Sequence, residues 1–75
     1  MDEGYIISNK FRRLIFDELT AGEKNIERIA KKNRIIKTIA YRTINDFVEN
    51  GIVEKKGNIY LLTEEGEKLA TKING

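Results

Sequence analysis

A chain of 75 residues forms one domain, 1–75, whose folding covers only about 60% of the unfolded surface. It has no cysteine and no histidine, which excludes a disulfide framework, a thiolate metal site and histidine acid–base chemistry, and it has no apolar run near the roughly 20 residues of a membrane span and no basic leader after Met1-Asp2-Glu3. The net charge of +2 is unevenly spread: Lys24, Arg28, Lys31, Lys32, Arg34, Lys37 and Arg42 stand against Glu27 alone in residues 24–42, a local +6, and each flanking segment carries −2.

With no proline in the chain, glycine does the punctuation. Residues 1–7 end in Tyr5-Ile6-Ile7, an apolar arm or short strand. Ser8 is placed to cap a first long helix, in which Phe11, Leu14, Ile15 and Leu19 repeat at helical spacing. Ala21-Gly22 ends it. Asn25 caps a short helix carrying Ile26, Ile29 and Ala30, which closes near Asn33, a residue tolerant of the left-handed conformation. A third helix spans residues 36–50, with Ile36, Ala40, Ile44, Phe47 and Val48 on its apolar side and Gly51 as its stop. Ile52–Lys56 and Ile59–Leu62 flank Gly57-Asn58 as two strands around a tight turn. Thr63 caps a last helix that runs to about Ile73, with acids in its first turn to suit the helix dipole.

Short helices followed by a longer one across a brief turn form a helix-turn-helix arrangement, and the hairpin after the third helix occupies the place of a wing. The stretch FVENGIVEKKGNIYLLTEEGEKLA carries a distinctive spacing in Phe47, Gly51, Ile52, Val53, Tyr60, Leu62, Thr63, Gly66, Leu69 and Ala70. On these residues the chain resembles the MarR/ArsR-type and related archaeal winged-helix regulators over residues ~8–70. It departs from their pattern at Asn33 and Ile35-Ile36. The resemblance implies an α+β, mainly α fold: a winged helix-turn-helix of three helices, a two-stranded β-hairpin wing and a C-terminal helix. It also implies sequence-specific DNA binding in transcription regulation, without a cofactor.

On a helical wheel, Thr38, Arg42, Asn45 and Glu49 lie opposite the apolar side of the third helix, flanked by Tyr41 and Asp46. Arginine reads guanine edges and asparagine reads adenine. Thr38, Tyr41, Arg42 and Asn45 are therefore the base-contact candidates. Asp46 and Glu49 would be repelled by phosphates, so the N-terminal half of the helix is expected to insert. Lys31, Lys32, Arg34 and Lys37 around the turn are assigned to phosphates, which position a protein without specifying sequence. Lys55, Lys56 and Asn58 on the wing are further phosphate candidates, although lysines on an exposed hairpin also serve to block edge pairing. Ile39, at the margin of the apolar stripe, either packs in the core or meets a thymine methyl.

The carboxylate pairs Asp2/Glu3, Asp17/Glu18 and Glu64/Glu65 are sequence neighbours without a nucleophile or base beside them, and no metal spacing or phosphate-cradling glycine loop is present. The expected activity is binding and not catalysis, with double-stranded DNA as partner, no small-molecule ligand, and a cytoplasmic, nucleoid-associated location. Tyr5, Ile6, Ile7, Leu69 and Ile73 are expected to offer apolar surface for a homodimer through the first and last helices. Two other functions fit the same fold: a protein-interaction module of a transcription or processing assembly, and a non-specific chromatin-type DNA binder.

Overall fold

The computed structural model describes residues 2–74, so Met1 and Gly75, the ends of the expected domain, lie outside the described residues. The fold is α+β and mainly helical. In chain order it comprises α1 (Gly4–Ile7), α2 (Lys10–Thr20), α3 (Ile26–Lys32), α4 (Lys37–Glu49), β1 (Val53–Lys56), β2 (Ile59–Leu62) and α5 (Glu64–Asn74). None of these helices is long and apolar enough to cross a membrane.

The first segment is helical and not an extended arm. Ile6 of α1 is buried, and Arg12 from α2 donates to the Tyr5 carbonyl at 3.1 Å and lies 4.2 Å from the Tyr5 ring centre. The cap of α2 is Asn9 rather than Ser8. The Ser8 N–H is already bonded to Gly4 in α1, whereas Asn9 is extended and its side chain accepts from the N–H groups of Phe11 and Arg12.

Three successive helices stop in the same way. At the ends of α2, α3 and α4, paired backbone bonds run back to the last turn in the Schellman pattern: Glu23 to Glu18 and Gly22 to Leu19, Ile35 to Ala30 and Arg34 to Lys31, Ile52 to Phe47 and Gly51 to Val48. Gly22 (φ 104°) and Gly51 (φ 76°) supply the left-handed residue in two of them. In the third it is Arg34 (φ 54°), not the expected Asn33. Asn33 stays at φ −99° and sends its amide to the Glu18 carboxylate and the Ile29 carbonyl, both at 2.9 Å.

This stop sets the start of α4. Ile35 turns inward and is 6% exposed; Ile36, read from the sequence as part of the apolar stripe, is 67% exposed. Ile36 precedes the helix in an extended conformation, so helical spacing does not govern where its side chain points. Thr43 takes a buried place on that side, its hydroxyl satisfied by the Ile39 carbonyl at 2.8 Å. Ile39 itself is partly buried against the core.

The core centres on Phe16 and Phe47, packed edge to face with centroids 6.1 Å apart, and Tyr5 also meets Phe47 edge to face at the same distance. The two strands pair antiparallel, Val53 with Leu62 through Lys56 with Ile59, around Gly57-Asn58. Positive φ falls on Gly57 alone, the residue a II′ turn requires. The hairpin is fastened at two places. The Tyr60 N–H bonds the Lys24 carbonyl between α2 and α3, and the Thr63 hydroxyl links the Gly51 carbonyl to the first turn of α5. Leu69, expected at a dimer seam, is instead 2% exposed within the chain, and Ile6 is fully buried; Ile7 remains 52% exposed.

Candidate nucleic-acid interface

The register set by Ala40, Ile44 and Phe47 in the core leaves Thr38, Arg42, Asn45 and Glu49 exposed along the outer face of α4. Among the described residues, the side chains of Thr38, Arg42 and Asn45 make no hydrogen bond or ion pair within the chain. Arg42 borders a shallow cleft of about 250 Å³ between α4 and the start of α2, shared with Arg12 and Asp46.

Tyr41 and Lys37 are engaged differently. The Tyr41 hydroxyl donates to Glu27 at 3.0 Å, and Lys37 Nζ lies 3.3 Å from the other oxygen of that carboxylate. The bond from Tyr41, then that from Lys37, holds the Glu27 carboxyl below the usual glutamate range. The same bond raises the Tyr41 phenol, because ionisation would set a phenolate against a carboxylate. Glu27 thus ties the first turn of α3 to the first half of α4. Nothing in the sequence pairs positions so far apart, and Glu27 reads there only as the lone acid of a basic block.

The candidate phosphate contacts divide into three groups. Lys31 and Arg34 are exposed and, among the described residues, form no ion pair. Lys31 and Lys37 border one cleft of about 580 Å³ with Arg28 and Ile35. Lys32 turns away to α2, 3.2 Å from Glu18. On the hairpin, successive side chains point to opposite faces. Lys55 lies opposite Tyr60, 5.9 Å from its ring centre, and with Asn58 and Tyr41 borders a second cleft of about 410 Å³ around Glu27. Lys56 pairs with Glu54 on its own strand at 3.4 Å. The structure therefore brings Lys31, Lys37, Tyr41, Lys55 and Asn58 around the start of α4, but not Lys32 or Lys56.

The start of α4, like that of the four-residue α1, has no side-chain cap. Asn9, Asn25 and Thr63 cap α2, α3 and α5 through their side chains, whereas Ile36 provides α4 with no such bond and no acid lies in its first turn. Comparison of the chain with protein-family models, curated proteins and solved structures gives no match.

Proposed function

We propose that the chain is a winged helix-turn-helix DNA-binding domain that acts as a sequence-specific transcriptional regulator in the cytoplasm, associated with the nucleoid. In this reading α3 and α4 form the helix-turn-helix, α4 enters the major groove, and the β1–β2 hairpin is the wing. The observation that carries it is the outer face of α4. Thr38, Arg42 and Asn45 are exposed and unengaged among the described residues, and the exposed cations Lys31, Lys37 and Lys55 border clefts beside the inserting half of the helix, with exposed Arg34 two residues before Ile36. Such side chains read base edges while flanking cations hold phosphates. The bond from Tyr60 to Lys24 supports the fold reading, since it ties the α2–α3 connection to β2 of the hairpin.

The exposed Ile7 and the partly buried Ile73 are the apolar surface proposed for a two-fold homodimer. That pairing would set the two copies of α4 about one DNA turn, ~34 Å, apart. Selection from a random duplex library, followed by competition against random DNA, tests the function. A recovered motif bound at least about a thousandfold more tightly than random sequence supports a regulator. Equal binding to all duplexes means a chromatin-type binder, and no binding means an interaction module. Sedimentation with and without the selected duplex tests the dimer.

A further inference from the structure

Of the large apolar side chains among the described residues, Ile36 is the most exposed, at 67%. It contributes little to the protomer. Its neighbour Ile35 fills the core, and isoleucine is among the poorest residues at a helix N-cap. The left-handed turn at Arg34 fixes this division, placing one isoleucine inside and the next at the tip of α4. Arg34 and Lys37 flank it in sequence, both exposed. An apolar tip within a cationic rim complements a surface with phosphate walls and an apolar group on its floor. The major groove has that chemistry wherever a thymine presents its C5-methyl. One isoleucine is too small for a protein-docking patch but matches one methyl.

We infer that Ile36 packs against the C5-methyl of a thymine and fixes that base in each half-site. The inference rests on the DNA-binding reading above and adds to it a specificity-determining residue outside the polar face of α4.

The test replaces each thymine of the selected duplex in turn by deoxyuridine, which removes the methyl and keeps every hydrogen-bonding group. Wild-type protein is expected to lose about fourfold in affinity at one position per half-site, the value of one buried methyl. Ile36→Ala and Ile36→Ser are expected to bind the thymine and uracil duplexes equally there. Ile36→Ser supplies a hydroxyl cap to α4, so its melting temperature should equal or exceed that of wild type, and misfolding cannot account for the result. A selected site without thymine overturns the inference and leaves the DNA-binding reading standing, as does specific binding in which no uracil position separates wild type from the variants. Absence of any sequence preference overturns both.

Discussion

Tyr41 of α4 and Glu27 of α3 share a 3.0 Å hydrogen bond across the face proposed to meet DNA, with the phenol donating to the carboxylate. The bond masks a candidate base contact, and its companion ion pair masks Lys37. Glu27→Gln is expected to raise affinity for all duplexes and to steepen the fall of log affinity with log salt by about 0.9, one freed phosphate contact. In an ultraviolet titration the same variant should bring the Tyr41 phenol down toward its ordinary pKa. Tyr5, raised chiefly by burial, should not move. A loss of affinity would instead mean that Glu27 orients Tyr41 toward a base.

Acid should act through Glu23 as well as Glu27. The Glu23 carboxylate accepts the backbone N–H groups of Asn25 and Lys24, at 3.1 Å and 2.9 Å, and its pKa is lowered by them. A lowered folded-state pKa adds stability that is present above the unfolded glutamate value of about 4.3 and is lost as pH falls through the folded value. The melting temperature should therefore fall below about pH 4.3, and Glu23→Gln should flatten that fall while lowering stability at neutral pH.

Arg34 combines a backbone cost with an exposed charge. Its left-handed conformation is one that glycine adopts freely, so Arg34→Gly should stabilise the fold by about 1 kcal/mol. The same change should weaken binding to every duplex and lower the salt slope by about 0.9. Lys31→Ala should reproduce the binding loss with no stability gain. Lys32→Ala should change the salt slope less than either, because Lys32 is held toward Glu18. Equal slopes for all four proteins would make the basic block a solubility feature.

Arg42 is the only arginine on α4 and is exposed beside Thr38 and Asn45, whose side chains make no hydrogen bond or ion pair among the described residues. Arg42→Ala is expected to cost about 1–3 kcal/mol on the selected site and to relax preference at one base pair per half-site, with melting unchanged. Glu49→Ala, two turns further on, should leave binding equal or slightly tighter. An equal loss on specific and random DNA would make Arg42 a phosphate contact.

Two glycines should respond oppositely to the same substitution. A Cβ on Gly66 would overlap the Ile52 carbonyl oxygen, where α5 passes the residue before β1, so Gly66→Ala should destabilise by about 3 kcal/mol. At Gly4 the nearest atom is the flexible Asp2 side chain at 3.6 Å, and Gly4→Ala should stabilise α1 by about 0.5–1 kcal/mol. Thermal melts of the two variants check both.

Local spacing carried most of the architecture. Apolar residues recurring along α2 and α4, asparagine before α3, threonine before α5, and glycine at two helix ends and in the hairpin turn each act within a few residues. The exposure of Thr38, Arg42 and Asn45 followed in the same way, because a helix with one side in the core has the opposite side outside. The choice between Ser8 and Asn9 was not legible, since both satisfy the local capping rule, and at the end of α3 the local rule favoured Asn33 over Arg34, which carries the left-handed turn. Contacts decided them: a prior bond from Ser8 to Gly4, and the reach of Asn33 to Glu18 across two helices.

The sequence by itself determined which residues face outward on α4 and that cations outnumber acids around it, because periodicity and charge are properties of the chain. Only the tertiary structure decided which of those groups are free. Glu27 reaches Tyr41 and Lys37 because the turn at Arg34 folds α3 against α4, and Glu18 takes up Lys32 because α2 packs beside α3. The same turn separates Ile35 from Ile36, one to the core and one to the surface. Two identical neighbours give no local signal of which is buried; that depends on the direction in which the chain enters the next helix.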